Sequence, residues 1–125
     1  MSEVLTAPDG RTRVLAPTTT SKLALRMLSA SRVVAANMPS GFVNTTPLDI
    51  LLALFVAEEE ARYLSSGELA PPTSLSPQIT ERWADALAQH GWVVRQGDLL
   101  ALTDQGHAKV RELIRTLYDD QRLLD

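Results

Sequence analysis

Residues 66–107 read SGELAPPTSLSPQITERWADALAQHGWVVRQGDLLALTDQGH, and the order of signals in this stretch decides the fold. Ser65 and Glu68 have capping-box spacing, which starts a helix. Pro71 and Pro72 lack the N–H that a helix interior needs, which predicts a helix of about one turn, or a badly bent one. Ser76 and Pro77 start a second helix by the same cap-then-proline logic. Ile79, Trp83, Ala86, Leu87 and His90 share one side of it, and Gly91 stops it. Residues 92–95 (WVVR) and 99–102 (LLAL) are β-prone and are joined by Gln96, Gly97 and Asp98, which predicts a hairpin with a very short loop. Thr103 and Asp104 then cap a last helix. Val110, Leu113, Ile114, Leu117, Tyr118 and Leu124 repeat along it at helical spacing.

Short helix, turn, long helix, strand, tight turn, strand, helix is the order of a winged helix-turn-helix. The expected fold is therefore mainly α, with a small β-hairpin wing. In such a unit the central helix usually enters the DNA major groove.

Upstream, Thr46, Pro47 and Asp49 mark another helix start: a cap, a first-turn proline and an acid at the positive end of the dipole. This helix is expected to run to about Leu64, burying Ile50, Leu51, Leu54, Phe55 and Ala57. Glu58, Glu59 and Glu60 point about 100° apart and read as a solvated face rather than a catalytic pair. Glu58 and Arg62 are spaced as an i,i+4 pair. Before it, residues 22–37 form a helix with N-cap candidates at Thr18, Thr19, Thr20 and Ser21. Leu23, Met27, Ala30 and Val34 make its apolar stripe. Leu25, Leu28, Val33 and Ala36 widen the stripe until most of the circumference asks for cover. The run 38–41 (MPSG) ends it. Residues 3–15 are two β-prone runs around Pro8 and Gly10, either a hairpin or a disordered arm.

A chain of 125 residues with 45% hydrophobic and 22% charged content is an ordinary globular chain that can bury a core. It has no cysteine, hence no disulfide, no thiolate metal site and no cysteine nucleophile. No apolar run reaches membrane-spanning length, and the N-terminus has no basic region followed by an apolar core. These features predict a cytoplasmic protein without membrane partners. The net charge of −3 is uneven. Residues 1–40 carry +3 and residues 41–125 carry −6. An indiscriminate nucleic-acid binder would be basic throughout.

The pieces GELA, SLSPQITERWADALAQHGWV and LTDQGHAKV resemble the winged-helix domain of MarR-family transcriptional regulators over about residues 46–118. The resemblance implies a DNA-binding transcription regulator that acts as a homodimer. Residues 18–40 and 104–125 would be N- and C-terminal dimerisation helices, 46–103 the DNA-binding core, and 1–17 an arm or hairpin. Two copies of the helix at 77–89 would read successive major grooves of double-stranded DNA. By the resemblance alone, a small-molecule effector would sit between the dimerisation helices and the DNA-binding lobe. The apolar excess of the first and last helices fits a dimer, with packing inside one chain as the alternative.

The DNA-binding candidates follow by position. Gln78, Thr80, Glu81 and Arg82 are expected on the solvent side of the 77–89 helix. Glutamine pairs with adenine edges, arginine with guanine, and threonine with a thymine methyl or a phosphate. Backbone N–H groups at the Ser76 end would hold a phosphate. Arg95 and Gln96 in the wing would touch backbone or minor groove, and Arg11 and Arg13 would serve as a basic arm. Three features depart from the family: the double proline, a much shorter wing, and Glu81 and Asp85 beside Arg82. They keep a second reading open, in which the same fold docks another protein and does not bind DNA.

No Gly-rich phosphate loop, Gly-x-Ser-x-Gly or metal-spaced histidine pair occurs. His90 and His107 stand in separate elements, and a capped helix start accounts for Asp104 and His107. Trp83 and Trp92 read as core. The sequence therefore predicts no enzyme, no cofactor and no metal.

Overall fold

The computed structural model describes residues 4–6, 12–14, 18–39, 47–73 and 76–124. Among them the chain is mainly helical, with a small three-stranded antiparallel sheet. The order is β1 (Val4–Thr6), β2 (Thr12–Val14), α1 (Thr18–Asn37), α2 (Leu48–Glu59), β3 (Leu64–Ser65), α3 (Ser66–Thr73), α4 (Pro77–His90), β4 (Val93–Gln96), β5 (Leu99–Leu102) and α5 (Asp104–Leu124).

The two N-terminal runs pair as an antiparallel hairpin, Val4 opposite Val14. Its turn, the Thr46 cap and residues 40–41 lie outside the described residues.

α2 is the hub. Ile50, Leu51, Leu52, Ala53, Leu54, Phe55 and Ala57 are all buried, and Phe55 is wholly so. α1, α3, α4, α5 and β5 all pack on it. A helix covered on every side has no solvated face near its end. Glu58 is accordingly only 1% exposed, contrary to the expected solvated glutamate run, although Glu60 is exposed.

α2 also ends earlier than expected, at Glu59 rather than near Leu64. Ala61 adopts a left-handed φ of 59°. Its N–H donates to the Glu58 carbonyl (3.0 Å), and the Arg62 N–H donates to the Ala57 carbonyl (2.8 Å). This is a Schellman stop built without glycine. The same bend takes Arg62 off the helix, and Arg62 pairs with Glu60 at 3.0 Å in place of the expected i,i+4 geometry. The released chain forms β3, so Leu64 lies in a strand rather than at the expected helix end. Leu64 pairs with Leu100 and Ser65 with Leu99, so the sheet order is β3–β5–β4.

α3 is longer than the prolines suggested: eight residues, running through Pro71 and Pro72. The carbonyls that lose their donors belong to Gly67 and Glu68, and both residues are exposed, where water serves as donor. The expected capping box is present. The Glu68 carboxylate accepts from the Ser65 N–H (3.1 Å) and hydroxyl (3.0 Å), and the Glu68 N–H donates back to Ser65 Oγ (3.3 Å).

α1 starts at Thr18, the first of the expected cap residues, and leaves much of its apolar surface open. Ala24 and Leu28 are buried, while Ala30, Val33 and Val34 are exposed. It leans mainly on α2. There the Ser31 hydroxyl donates to Asp49 Oδ1 at 3.0 Å. Burial pushes the Asp49 carboxyl above its usual value, and the serine bond partly offsets this.

β4 and β5 form a hairpin with Gln96 opposite Leu99, so the loop is Gly97 and Asp98 alone. Gly97 has φ 61° at the first loop position, as two-residue hairpin turns require. The joint to α5 is tight. The Thr103 hydroxyl donates to the Gly91 carbonyl (2.6 Å) and accepts from the Gly106 N–H (3.0 Å), and the Thr103 N–H donates to the Trp92 carbonyl (3.0 Å). A Cβ on Gly106 would stand 2.0 Å from the Trp92 carbonyl oxygen, so only glycine fits there. The next residue, His107, is buried and stacks on Phe55 with ring centroids 5.0 Å apart.

Candidate nucleic-acid interface

α4 is well built for presenting a surface. Ser76 is its N-cap, and the Ser76 Oγ accepts from the Ile79 N–H at 3.3 Å. Pro77 takes the first helical position. Gly91, at φ 90°, closes the far end, with Trp92 N–H donating to the Leu87 carbonyl (3.1 Å). Ala84 and Leu87 are buried, while Ile79 and Trp83 are half-buried against the core. Ala86 and His90, expected on the buried side, are exposed. His90 lies edge-on to Trp92, with ring centroids 4.4 Å apart. Trp92, like Trp83, is half-buried against the core.

Of the predicted contact residues, Gln78, Glu81 and Arg82 are exposed on α4, and Gln96 is exposed at the end of β4. Thr80 is not available. It is fully buried, and its hydroxyl donates to the Ser76 carbonyl at 2.9 Å. The reason is its place on the helix: Thr80, Ala84 and Leu87 fall at i, i+4 and i+7 and are buried together, and the bond to the cap carbonyl satisfies the hydroxyl there. Ser76 is exposed, but its hydroxyl is already engaged as the cap. Pro77 has no N–H, and the N–H groups of Ile79 and Thr80 are taken up by Ser76. The helix start is therefore poorer in phosphate donors than the sequence suggested. Arg11 lies outside the described residues, and Arg13 stands on β2 opposite Leu5.

The structure brings Arg95 to α4. Its Nη2 donates to Glu81 Oε2 at 2.8 Å and lies 3.0 Å from Asp85 Oδ1. Glu81 and Asp85 are one helical turn apart and so share a face. The Glu81 carboxyl also takes a hydrogen bond from the Ser66 side chain. That bond, with Arg95, holds it below the usual carboxylate range. Glu81 thus links α3, α4 and β4. Asp85 was not singled out as a site residue from the sequence. Its i,i+4 spacing from Glu81 was the available signal, but nothing in the sequence shows that β4 would aim an arginine between them.

Together α4 and β4 carry Arg82 and Arg95 against Glu81 and Asp85, two positive and two negative charges. Among the described residues no cluster of histidine and acidic side chains is arranged to hold a metal ion, and no helix is long and apolar enough to cross a membrane. Comparison with protein-family models, with curated proteins and with solved structures finds no match to this chain.

Proposed function

We propose that the chain is a DNA-binding transcription regulator of the MarR-like, winged helix-turn-helix kind, acting as a homodimer. The observation that carries this reading is the order α2–β3–α3–α4–β4–β5, with β3–β5–β4 as an antiparallel sheet. In a winged helix that order makes α4 the recognition helix and the β4–β5 hairpin the wing. The exposed Gln78 and Arg82 then carry base or phosphate contacts, with Gln96 beside them. The dimer is supported by the apolar side chains that α1 and α5 leave open: Leu25, Val33, Val34, Leu117 and Tyr118. Isolated exposed hydrophobics are ordinary, but a group spread over two helices supports a reading in which a second copy covers them.

The test is fluorescence anisotropy on random and genome-derived duplexes from low to physiological salt. Binding that falls steeply with salt and differs among duplexes is the expected result. Arg82→Glu should abolish it. Absence of binding at low salt overturns direct DNA recognition by the free protein.

One observation favours a second reading, a winged-helix module that docks a protein: Arg95, the wing's cation, is already neutralised by Glu81 and Asp85. On that reading Arg82→Glu leaves partner binding intact when the docking surface lies elsewhere.

A further inference from the structure

The ion pairs around Arg95 have a consequence for affinity, provided the DNA reading above holds. We propose that Glu81 and Asp85 are built-in competitors of DNA phosphate for Arg95, so that the chain's own carboxylates set its affinity for DNA.

Arg95 stands opposite Leu100 in the hairpin, one residue before the end of β4, and its side chain is 31% exposed. Among the described residues, the bonds that hold the guanidinium run to Glu81 and Asp85, and its Nε is buried without a hydrogen-bond partner. A DNA phosphodiester offers a guanidinium the same paired oxygens and the same single negative charge as a carboxylate. Whatever Arg95 gives a phosphate it must therefore take from Glu81 and Asp85. Those two carboxylates then remain on the face and repel the phosphate they were displaced by.

Arg82 is different. It stands between Glu81 and Asp85 in sequence, but it has no ion pair among the described residues. The face thus has one unconditional cation, Arg82, and one conditional cation, Arg95. Ser66 adds to the condition, because it favours the charged form of the Glu81 carboxylate.

The test uses the full chain and a fluorescein-labelled duplex titrated between about 50 and 200 mM salt, the range over which phosphate contacts dominate. Glu81→Gln with Asp85→Asn keeps shape and removes charge, and circular dichroism confirms that each variant folds. The double variant should bind about tenfold tighter, with the salt slope steeper by about 0.9 for one added phosphate contact. Adding Arg95→Ala to it should remove that gain. Arg95→Ala alone, in the otherwise unchanged chain, should weaken binding less than about threefold, because the clamp already withholds that cation. A double variant that binds no tighter overturns the proposal, as does a gain that survives Arg95→Ala, which would be general relief of negative charge. If no form binds at low salt, the DNA reading falls and the competition with it. If the unchanged chain binds and the double variant merely equals it, the competition alone falls.

Discussion

α1 and α2 are both rich in aliphatic side chains, yet the fold treats them in opposite ways. α2 is buried around its whole circumference, down to a glutamate near its end. α1 buries Ala24 and Leu28 against α2 and leaves Leu25, Val33 and Val34 about half exposed or more. Apolar content states that a helix must be covered. It does not state by what. α2 is covered by its own chain because four helices and a strand converge on it. On the reading proposed above, α1 is covered by a second copy. α5 repeats the contrast within one helix. Its first turns are jammed against Trp92 and Phe55, while Leu117 and Tyr118 near its far end stay open.

The contrast can be broken from the closed side first. Phe55→Ala empties the centre of α2 and should cost about 3–5 kcal/mol, read from chemical denaturation. A loss under about 1 kcal/mol would mean that α2 is not the hub. Gly106→Ala drives a methyl into the Trp92 carbonyl, a backbone group that cannot swing aside, and should cost about 3 kcal/mol, the upper part of the range for overpacking.

The open side answers differently. Val33→Glu with Val34→Glu should leave the fold of each chain intact and weaken self-association at least about a hundredfold, or roughly 2.7 kcal/mol. Sedimentation velocity reads this as a shift from dimer to monomer. An unchanged dimer would place the shared interface elsewhere, and the α1 contrast would lose its explanation.

Two smaller effects sharpen the picture at the helix ends. Ala61→Gly should stabilise the chain by about 1 kcal/mol, because an L-residue pays a steric penalty in the left-handed region that glycine escapes. Thermal melts would show it. Glu68 gives the smallest effect. Its carboxyl is held below the usual value of 4.5 by the Ser65 backbone N–H first and the Ser65 hydroxyl second. A carboxylate with a lowered folded value contributes stability above pH 4.5 and loses it as pH falls through the lowered value. Glu68→Gln should therefore lower the melting temperature slightly at neutral pH, with the gap closing below pH 4.5. A gap that is constant with pH would mean that the capping carboxylate does not act through its charge.

Much of this was legible in the chain itself. Caps and stops are local, and Ser65 with Glu68, Ser76 with Pro77, Gly91, Gly97 and Thr103 all mark the boundaries they were expected to mark. The exposed part of the candidate interface, Gln78, Glu81, Arg82 and Gln96, was legible from helical spacing and hairpin position. Thr80 was misread, because a polar side chain suggests the solvent side, whereas its i, i+4, i+7 spacing with Ala84 and Leu87 places it in the core with its hydroxyl satisfied by the Ser76 carbonyl. The Arg95 clamp was not legible, because it joins residues 14 positions apart across two elements.

Two helix ends show where the boundary lies. α4 stops at Gly91 and α2 stops at Ala61, and the hydrogen bonds are the same: one from the left-handed residue, one from the residue after it. The first stop is written in the sequence, since glycine enters the left-handed region freely. The second is not, since nothing local drives an alanine there. Only the tertiary structure decides it: bending at Ala61 lets Leu64 enter the core and pair with Leu100, and that burial outweighs the local strain.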